Sequence, residues 1–405
     1  MKGLAPYIEL LPFVSEHLSD EVTNLLLTSS KHTQINVSLA VTMIKARNKI
    51  DNKVPSWKNM KQLCFPDSLS AEQSSSEITA KYKQRFVTSK SVSDLTCGLG
   101  VDSIFMAEVA SEVVSYEKNP LLCSALEYNS TLLGISNLRV INREIDPEWA
   151  ETLPEGEFDL IYIDPSRRDS RGKRVACIRD YSPDILTLKN SLLKAGKSLL
   201  VKISSMTDIS ATLAILPETT EVHILSVRNE CRELLFLMKP LPDFPENLPE
   251  PEIHMVNYEN KQWQIFSGTI KSERESRLTL AEKGPATFLY EPNSSIMKGG
   301  AFRSVSGMFG LRKLAVNTHL YTSDVLIREF PGRIFRVIKV HSAGKKGIKE
   351  IRENIGHANI SVRNFPSTAQ ELKKQTGIRD GGEIFLTGCT LFSGKKCIVE
   401  SIRVN

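Results

Sequence analysis

The sequence of 405 residues lacks the cysteine pattern of a zinc site or of a disulfide framework. Its seven cysteines are irregularly spaced without a Cys-x-x-Cys pair, and its seven histidines are scattered. Cysteines of this kind are typical of free thiols in a reducing compartment. The sequence also lacks an uninterrupted apolar run of the roughly 18 residues that a membrane span requires. We therefore expect a cytoplasmic protein that holds no metal and contacts no membrane.

The charge is small but unevenly distributed along the chain. The net charge is +5 overall, yet residues 331–405 contain 14 Lys and Arg against 6 Asp and Glu, a net charge of +8. The rest of the chain therefore carries a net charge of −3. A basic segment on a slightly acidic body indicates a module that contacts an anionic partner, and this favours nucleic acid.

Repeats and low-complexity tracts are absent, and a chain of this length is expected to form about two to four domains. Residues 1–85 are predicted to be an N-terminal helical region. Residues 37–50 place apolar side chains at helical spacing. Ser74 and Glu77 have the spacing of a capping box, which predicts a helix from there through Tyr82 toward Phe86.

Short β-rich runs alternate with helix-length segments over residues 86–240, which is typical of a doubly wound α/β domain with a mostly parallel sheet. The runs are SVSDL, EVVSYE, LRVIN, FDLIYID and SLLVKI. Two further runs, EVHILSV and CRELLFLM, are separated only by residues 228–230. So short a gap permits a hairpin but no helical crossover, and the last strand is therefore predicted to be antiparallel.

The C-terminal half begins after a proline-rich segment, since five prolines fall within residues 239–252. Residues 241–252 are therefore predicted to be a stiff linker. Residues 253–330 have the pattern of a small α+β module. Residues 331–405 predict the order strand, helix, strand, helix, strand, strand.

The chemistry is expected where strands of the parallel sheet end, because ligands bind at that edge in such folds. In residues 94–102 (DLTCGLGVD), Gly98 and Gly100 allow the backbone to approach a ligand closely. Ser103 stands where dinucleotide-binding proteins carry a third glycine, which argues against a bound pyrophosphate. Glu117, after the second strand, can accept hydrogen bonds from the ribose of an adenosine ligand. Glu144 follows the third strand, where an acid can contact the adenine amino group.

A second turn, Asp164-Pro165-Ser166, follows the fourth strand and is predicted to lie beside the glycine turn. Asp164 can accept a hydrogen bond from an incoming amine, and Pro165 stiffens the turn. The segment that follows is rich in arginine and is suited to holding phosphates. Its candidate residues are Arg167, Arg168, Arg171 and Arg174.

Together the two turns, the Glu117 strand end and the closing hairpin resemble class I S-adenosylmethionine-dependent methyltransferases. More narrowly, residues 72–77 (EQSSSE), 291–293 (EPN) and 361–366 (SVRNFP) resemble a bacterial family. That family joins a Rossmann-like methyltransferase core to a ferredoxin-like module and a THUMP-like domain. The resemblance implies these domains for residues 86–240, 253–330 and 331–405.

The resemblance implies S-adenosyl-L-methionine as the cofactor. The core is also similar to trimethylguanosine synthase-type enzymes, which have a Gln/Ser-containing segment ahead of the glycine turn. The cofactor-binding residues implied are Asp94, Thr96, Gly98, Gly100, Glu117, Glu144, Gln73 and Ser75. Asp164, Pro165 and Arg167 are implied as catalytic, and Arg168, Arg171 and Arg174 as substrate-binding. THUMP domains bind RNA, which implies tRNA or rRNA as the partner.

One position departs from the pattern of amino-group methyltransferases, which commonly have Asp/Asn-Pro-Pro followed by an aromatic residue. Here Ser166 replaces the second proline and Arg167 the aromatic residue. A guanidinium plane can also stack on a base, so a base remains a possible target.

Three other functions compete with methylation of a base nitrogen in RNA. The substrate could instead be a small molecule or a protein, which the basic C-terminal segment opposes. The chain could be a non-catalytic RNA-binding protein, which the intact motif residues oppose. A nicotinamide-dependent oxidoreductase is opposed by the missing third glycine and by the closing hairpin.

Overall fold

The computed structural model describes residues 3–88, 91–166, 178–240 and 250–404. The chain forms two compact units, one comprising Met1–Thr220 and Glu233–Pro249, the other Glu221–Arg232 and Glu250–Asn405. The candidate residues Arg167, Arg168, Arg171 and Arg174 lie outside the described residues. Within the described ranges, no helix combines the length and apolarity needed to cross a membrane.

The first unit begins with the predicted helical region. Its helices are α1 (Ala5–Glu9), α2 (Leu11–Glu16), α3 (Val22–Leu27), α4 (Val37–Lys53), α5 (Ser68–Gln73) and α6 (Glu77–Lys83). The predicted helix at residues 37–50 is α4, and the Asn36 side chain caps it by accepting the Leu39 N–H at 3.1 Å. Its apolar face is buried.

The predicted helix after the serine run is α6, but the predicted cap was wrong. Ser76, not Ser74, is the N-cap, and it forms a reciprocal capping box with Thr79 rather than with Glu77. The hydroxyl of Ser74 instead donates to the Ala71 carbonyl at the end of α5. With three adjacent serines, the tertiary contacts of the side chains decide which one caps the helix.

The α/β part of the first unit has the predicted strands. They are β1 (Ser91–Asp94), β2 (Glu112–Glu117), β3 (Leu138–Asn142), β4 (Leu160–Ile163), β5 (Leu199–Ser204), β6 (Thr219–Val227) and β7 (Glu230–Met238). Residues 221–227 of β6 and residues 230–232 of β7 belong to the second unit. The helices between them are α7 (Val101–Ala107), α8 (Pro120–Leu132), α9 (Pro147–Glu151), α10 (Ile185–Ala195) and α11 (Ile209–Ile215).

The sheet of this unit runs β3-β2-β1-β4-β5-β7. β1 to β5 pair in parallel, whereas β7 is antiparallel to β5, which confirms the predicted terminal strand. Arg228 and Asn229 both have positive φ in the two-residue turn between β6 and β7, as a tight hairpin turn requires. Because β1 lies between β2 and β4, the strand order reverses at the carboxyl end of β1, where such sheets bind ligands.

The second unit contains two groups of strands. Residues 221–227 of β6 pair in parallel with β8 (Glu252–Glu259), and β8 is antiparallel to β9 (Gln262–Gly268). The other strands are β10 (Phe288–Pro292), β11 (Arg312–Ala315), β12 (Thr318–Ser323), β13 (Gly332–Ser342), β14 (Asn359–Arg363), β15 (Ile384–Thr390) and β16 (Lys396–Arg403). The helices are α12 (Ile270–Glu275), α13 (Ser294–Gly299), α14 (Phe302–Met308), α15 (Lys345–Asn354) and α16 (Ala369–Thr376).

From β13 onward the elements follow the predicted order of strand, helix, strand, helix, strand, strand. These strands belong to a sheet with the order β11-β12-β10-β13-β16-β15-β14. β13 pairs antiparallel with β10 on one side and with β16 on the other. The segments before and after residue 331 therefore contribute to one continuous sheet.

Candidate active site

The glycine turn at the end of β1 is shaped by two residues with left-handed backbone conformations. Gly98 has φ +55° and Gly100 has φ +77°, a region that residues with a Cβ rarely adopt. A Cβ at Gly100 would lie 2.1 Å from Leu126 Cδ1, so α8 packs directly on the turn. A Cβ at Gly98 would meet no atom within 4 Å. The turn is thus closed toward the helix layer at Gly100 and open at Gly98.

Asp94 is a buried residue that stabilises the glycine turn through hydrogen bonds. Its side chain is only 1% exposed, and its two oxygens accept hydrogen bonds from Ser103 Oγ at 2.6 Å and from the Thr96 N–H at 3.1 Å. Burial raises the pKa of Asp94 to about 7, although these two hydrogen bonds favour the ionised form. Ser103, which stands where dinucleotide-binding proteins have a third glycine, thus holds the Asp94 carboxyl group in place by a hydrogen bond.

Glu117 ties the end of β2 to the same turn. Its Oε2 accepts the Gly98 N–H at 3.0 Å, and its Oε1 accepts the Asn119 N–H at 2.8 Å. An ionised carboxylate has about four acceptor positions, so both oxygens can still accept a ligand hydroxyl. Glu144, after β3, is 68% exposed and pairs with Lys118 at 3.2 Å.

Asp164 lies at the end of β4, beside the turn. Its backbone N–H donates to Thr96 Oγ1 at 2.7 Å, which joins the ends of β1 and β4. Lys202, near the end of β5, donates from Nζ to Asp164 Oδ2 at 2.5 Å. In the described part of the chain, Asp164 Oδ1 has no hydrogen-bond donor. The Asp164 carboxylate is therefore fixed through one oxygen and can accept a bond at the other.

A buried ion-pair network lies behind Asp164. Lys83 is fully buried and contacts Glu233 at 2.8 Å and Asp102 at 3.1 Å. Lys202 lies 3.9 Å from the other oxygen of Glu233. Burial alone would lower the pKa of Lys202, but the nearby carboxylates of Asp164 and Glu233 outweigh burial and raise it. Lys202 is therefore held as a cation between the two carboxylates.

Asp102 remains ionised within this network. Burial acts to raise its pKa, but Lys83 and Lys202 outweigh burial and lower it. The hydroxyl groups of Ser75 and Tyr162 donate to Asp102 Oδ2 at 2.7 and 2.8 Å. The network therefore has cations and carboxylates in contact, which is the arrangement that buried charges require.

The expected site residues are distributed around this edge as follows. Ser75 is buried and belongs to the network, whereas Gln73 is exposed at the end of α5. Pro165 is buried, and Ser166 next to it exchanges two backbone hydrogen bonds with Ser182, at 2.7 and 3.1 Å.

Lys83, Lys202 and Glu233 were not singled out from the sequence. The signal for two of them is a charged residue inside an apolar run, since Lys202 interrupts LLVKIS in β5 and Glu233 precedes the buried LLFLM of β7. Charged residues are almost never fully buried unless they are paired. Lys83 is the last residue of α6, whose sequence is that of an ordinary helix, and no such signal marks it.

Comparison with known proteins agrees with this architecture. A ferredoxin-like domain family matches residues 288–331, and a THUMP domain-like family matches residues 332–400. The crystal structure of a Porphyromonas gingivalis W83 protein described as a methyltransferase superposes with a TM-score of 0.86. It is 31% identical to this chain, and the match covers 98% of each chain.

Two curated proteins are also similar. An S-adenosylmethionine-dependent methyltransferase of Mycobacterium tuberculosis is 25% identical over 321 residues, covering 78% of this chain and 82% of its own length. The 23S rRNA (uracil(1939)-C(5))-methyltransferase of Colwellia psychrerythraea is 30% identical over 132 residues, covering 30% of this chain and 28% of its own length.

Proposed function

This chain belongs to the S-adenosylmethionine-dependent methyltransferases that carry ferredoxin-like and THUMP-like domains, and we propose that it methylates a base nitrogen in RNA. S-adenosyl-L-methionine is its cofactor. The observation that carries the proposal is the Asp164 carboxylate, which Lys202 fixes at one oxygen beside the glycine turn and which has an acceptor left at the other.

The residues at the ends of β1 and β2 fit the cofactor. Gly98 leaves the turn open, and Glu117 has acceptor positions left for the ribose hydroxyls. Ser103 replaces the glycine that a pyrophosphate would need, and S-adenosylmethionine has no pyrophosphate. The cofactor supplies a methyl group activated by a cationic sulfur.

Asp164 is proposed to position the nucleophile. An exocyclic amine of a base can donate one hydrogen to Asp164 Oδ1, which fixes the direction of the nitrogen lone pair. Lys202 holds the other oxygen, so the carboxylate cannot turn away. Alignment of this kind supplies much of the rate in an in-line displacement. Arg167, outside the described residues, is proposed to stack on the base.

A nitrogen target is favoured over a ring carbon. The similar protein of Colwellia psychrerythraea methylates C5 of a uracil, and a ring-carbon target of the 5-methylcytosine type would need a nucleophilic cysteine. Cys97 follows Thr96 in this chain, but it is buried in the turn and burial raises its pKa well above the ordinary value. A thiol in that state is a poor nucleophile.

RNA as substrate is supported by the THUMP-like match and by four exposed lysines. Lys345 and Lys346 begin α15, and Lys395 and Lys396 begin the β16 region. The Ala343 N–H donates to the Lys396 carbonyl at 3.3 Å, so the two lysine pairs are neighbours. None of the four has an acidic partner within the described ranges, and they can contact phosphates. We further propose tRNA or rRNA as the substrate and a cytoplasmic location.

The test is a single-turnover assay of Asp164→Ala with labelled cofactor, using RNA from a strain that lacks the gene. We expect the rate of methyl transfer to fall on the order of a hundredfold or more, because a positioning group is lost. Cofactor affinity, measured by calorimetry, should stay within a few-fold. Asp20→Ala, an exposed carboxylate that pairs with His17, is the matched control and should leave the rate unchanged. A wild-type rate in Asp164→Ala would remove this residue from the active site.

A further inference from the structure

The strands β6 and β8 carry the same short pattern in register. Each has a glutamate two residues before a histidine, and the parallel pairing places Glu221 opposite Glu252 and His223 opposite His254. Side chains two residues apart in a strand point to the same face. The four side chains therefore project from one face of the strand pair.

The side chains are close enough to share one ion. His223 Nε2 lies 3.0 Å from Glu221 Oε2, and His254 Nε2 lies 3.7 Å from the same oxygen. The possible ligand atoms of these three residues all lie within 4.8 Å of one another. Glu252 Oε2 lies 3.7 Å from His254 Nε2. The two imidazole rings are stacked with their centroids 4.3 Å apart.

We propose that Glu221, His223 and His254 bind a divalent transition-metal ion such as Zn²⁺, with Glu252 as the fourth ligand. Imidazole nitrogens and carboxylate oxygens are ordinary ligands of such ions. A tetrahedral ion with bonds of about 2.0–2.2 Å spaces its ligand atoms roughly 3.3 Å apart. The separations of 3.0 and 3.7 Å between Glu221 Oε2 and the two histidines are near this value, so small side-chain rotations suffice for these three ligands. Glu252 lies 3.7 Å from His254 but is not among the residues whose ligand atoms all lie within 4.8 Å of one another, so its side chain must move further to become the fourth ligand.

The surroundings of the site support ligation. On the neighbouring β9, Ser267 faces His254, and its Oγ lies 2.7 Å from His254 Nδ1. When Nδ1–H donates to this hydroxyl, Nε2 presents its lone pair to the ion, as in known metal sites. His223 is 1% exposed, whereas the side chains of Glu221 and Glu252 are 32% and 52% exposed. The site is therefore buried at His223 and open to solvent at the two glutamates.

The ion would cross-link β6 to β8, and it would take no part in the proposed methyl transfer. The sequence alone predicted no metal because the residues of this site are far apart along the chain. The two Glu-x-His patterns lie 31 positions apart, outside the spacing of familiar zinc motifs, and only the strand pairing brings them together.

The experiment uses the full-length, untagged protein after treatment with a chelator. Calorimetric titration with Zn²⁺ should give about one ion per wild-type chain, and elemental mass spectrometry after gel filtration should find the same ratio. His254→Gln should weaken Zn²⁺ binding at least tenfold, since it removes one of the ligands. His357→Gln, at an exposed histidine away from the site, is the matched control and should bind Zn²⁺ as the wild type does.

Thermal unfolding provides the second measurement. At the same Zn²⁺ concentration, the ion should raise the unfolding temperature of the wild type and of His357→Gln more than that of His254→Gln. Glu221→Gln provides an independent variant if His254→Gln does not fold, and its circular dichroism spectrum should match that of the wild type. Absence of Zn²⁺ binding in the wild type, or equal binding in the wild type and a folded ligand variant, would overturn the proposal.

Discussion

Glu117 illustrates how much one side chain can contribute at this site, because it accepts the Gly98 N–H of the glycine turn and is proposed to bind the ribose of the cofactor. Replacing it by alanine removes the proposed hydrogen bonds from the ribose hydroxyls to a charged group. We expect Glu117→Ala to cost about 1.5–3 kcal/mol of cofactor binding free energy, measured by calorimetric titration. Glu144→Ala should cost less, about 0.5–1.5 kcal/mol, because Glu144 is exposed and makes a single proposed contact.

Glu148→Ala is the control for both variants, since Glu148 is exposed in α9 and no role is proposed for it. Its titration should match that of the wild type. If Glu117→Ala also bound the cofactor with wild-type affinity, the ribose contact would be assigned to the wrong residue.

For single residues, the sequence indicates which ones belong to short motifs but not which residues they contact. Asp164 and Glu117 are recognisable because each follows a strand run, and strand ends meet at one edge of a parallel sheet. Lys83 and Glu233 are 150 positions apart along the chain, and their contact depends on how α6 and β7 pack. No local pattern encodes that packing.

Among the structural elements, the turn after β1 makes the stability of the fold depend on pH, because it contains the buried carboxyl group of Asp94. Burial raises its pKa from 3.8 to about 7, so the folded protein keeps a proton that the unfolded chain releases. The stabilising contribution of this proton is complete below about pH 4, and it is lost as the pH rises through 7.

Asp94→Asn is neutral at every pH and should not show this loss. The free energy of unfolding of the wild type, relative to that of Asp94→Asn, should therefore fall by roughly 3 kcal/mol between pH 5 and pH 8. Urea denaturation across this range measures it. Asp380 is exposed, so the free energy of unfolding of Asp380→Asn should change with pH in the same way as that of the wild type. A difference between the wild type and Asp94→Asn that stays constant with pH would show that Asp94 is ionised throughout.

Element boundaries were harder to predict than the elements. The helix of residues 37–50 and the hairpin at residues 228–229 follow from periodicity and from a gap too short for a crossover. The start of α6 does not, because Ser74, Ser75 and Ser76 are equally good caps in isolation. Ser75 bonds to Asp102, 27 positions later, and Ser76 is left as the cap.

In the whole molecule, the distribution of charge along the sequence suggests a module boundary near residue 331, but the pairing of strands does not. The change in charge near residue 331 predicts a separate basic module, whereas β10 and β13 pair across that position. Long-range strand pairing of this kind has no local signature in the sequence. A protein ending at residue 330 would leave the edge of β10 unpaired, so RNA binding is better tested by substitutions in the full chain.

The central claim is that this chain transfers a methyl group to RNA, and nucleoside mass spectrometry tests it most directly. Nucleosides from the tRNA and rRNA of a strain lacking the gene would be compared with those of the same strain complemented with wild type or Asp164→Ala. The account predicts that one base-methylated nucleoside is missing in the deletion strain, returns with the wild type and stays missing with Asp164→Ala. Identical nucleoside profiles in all three strains would contradict RNA as the substrate.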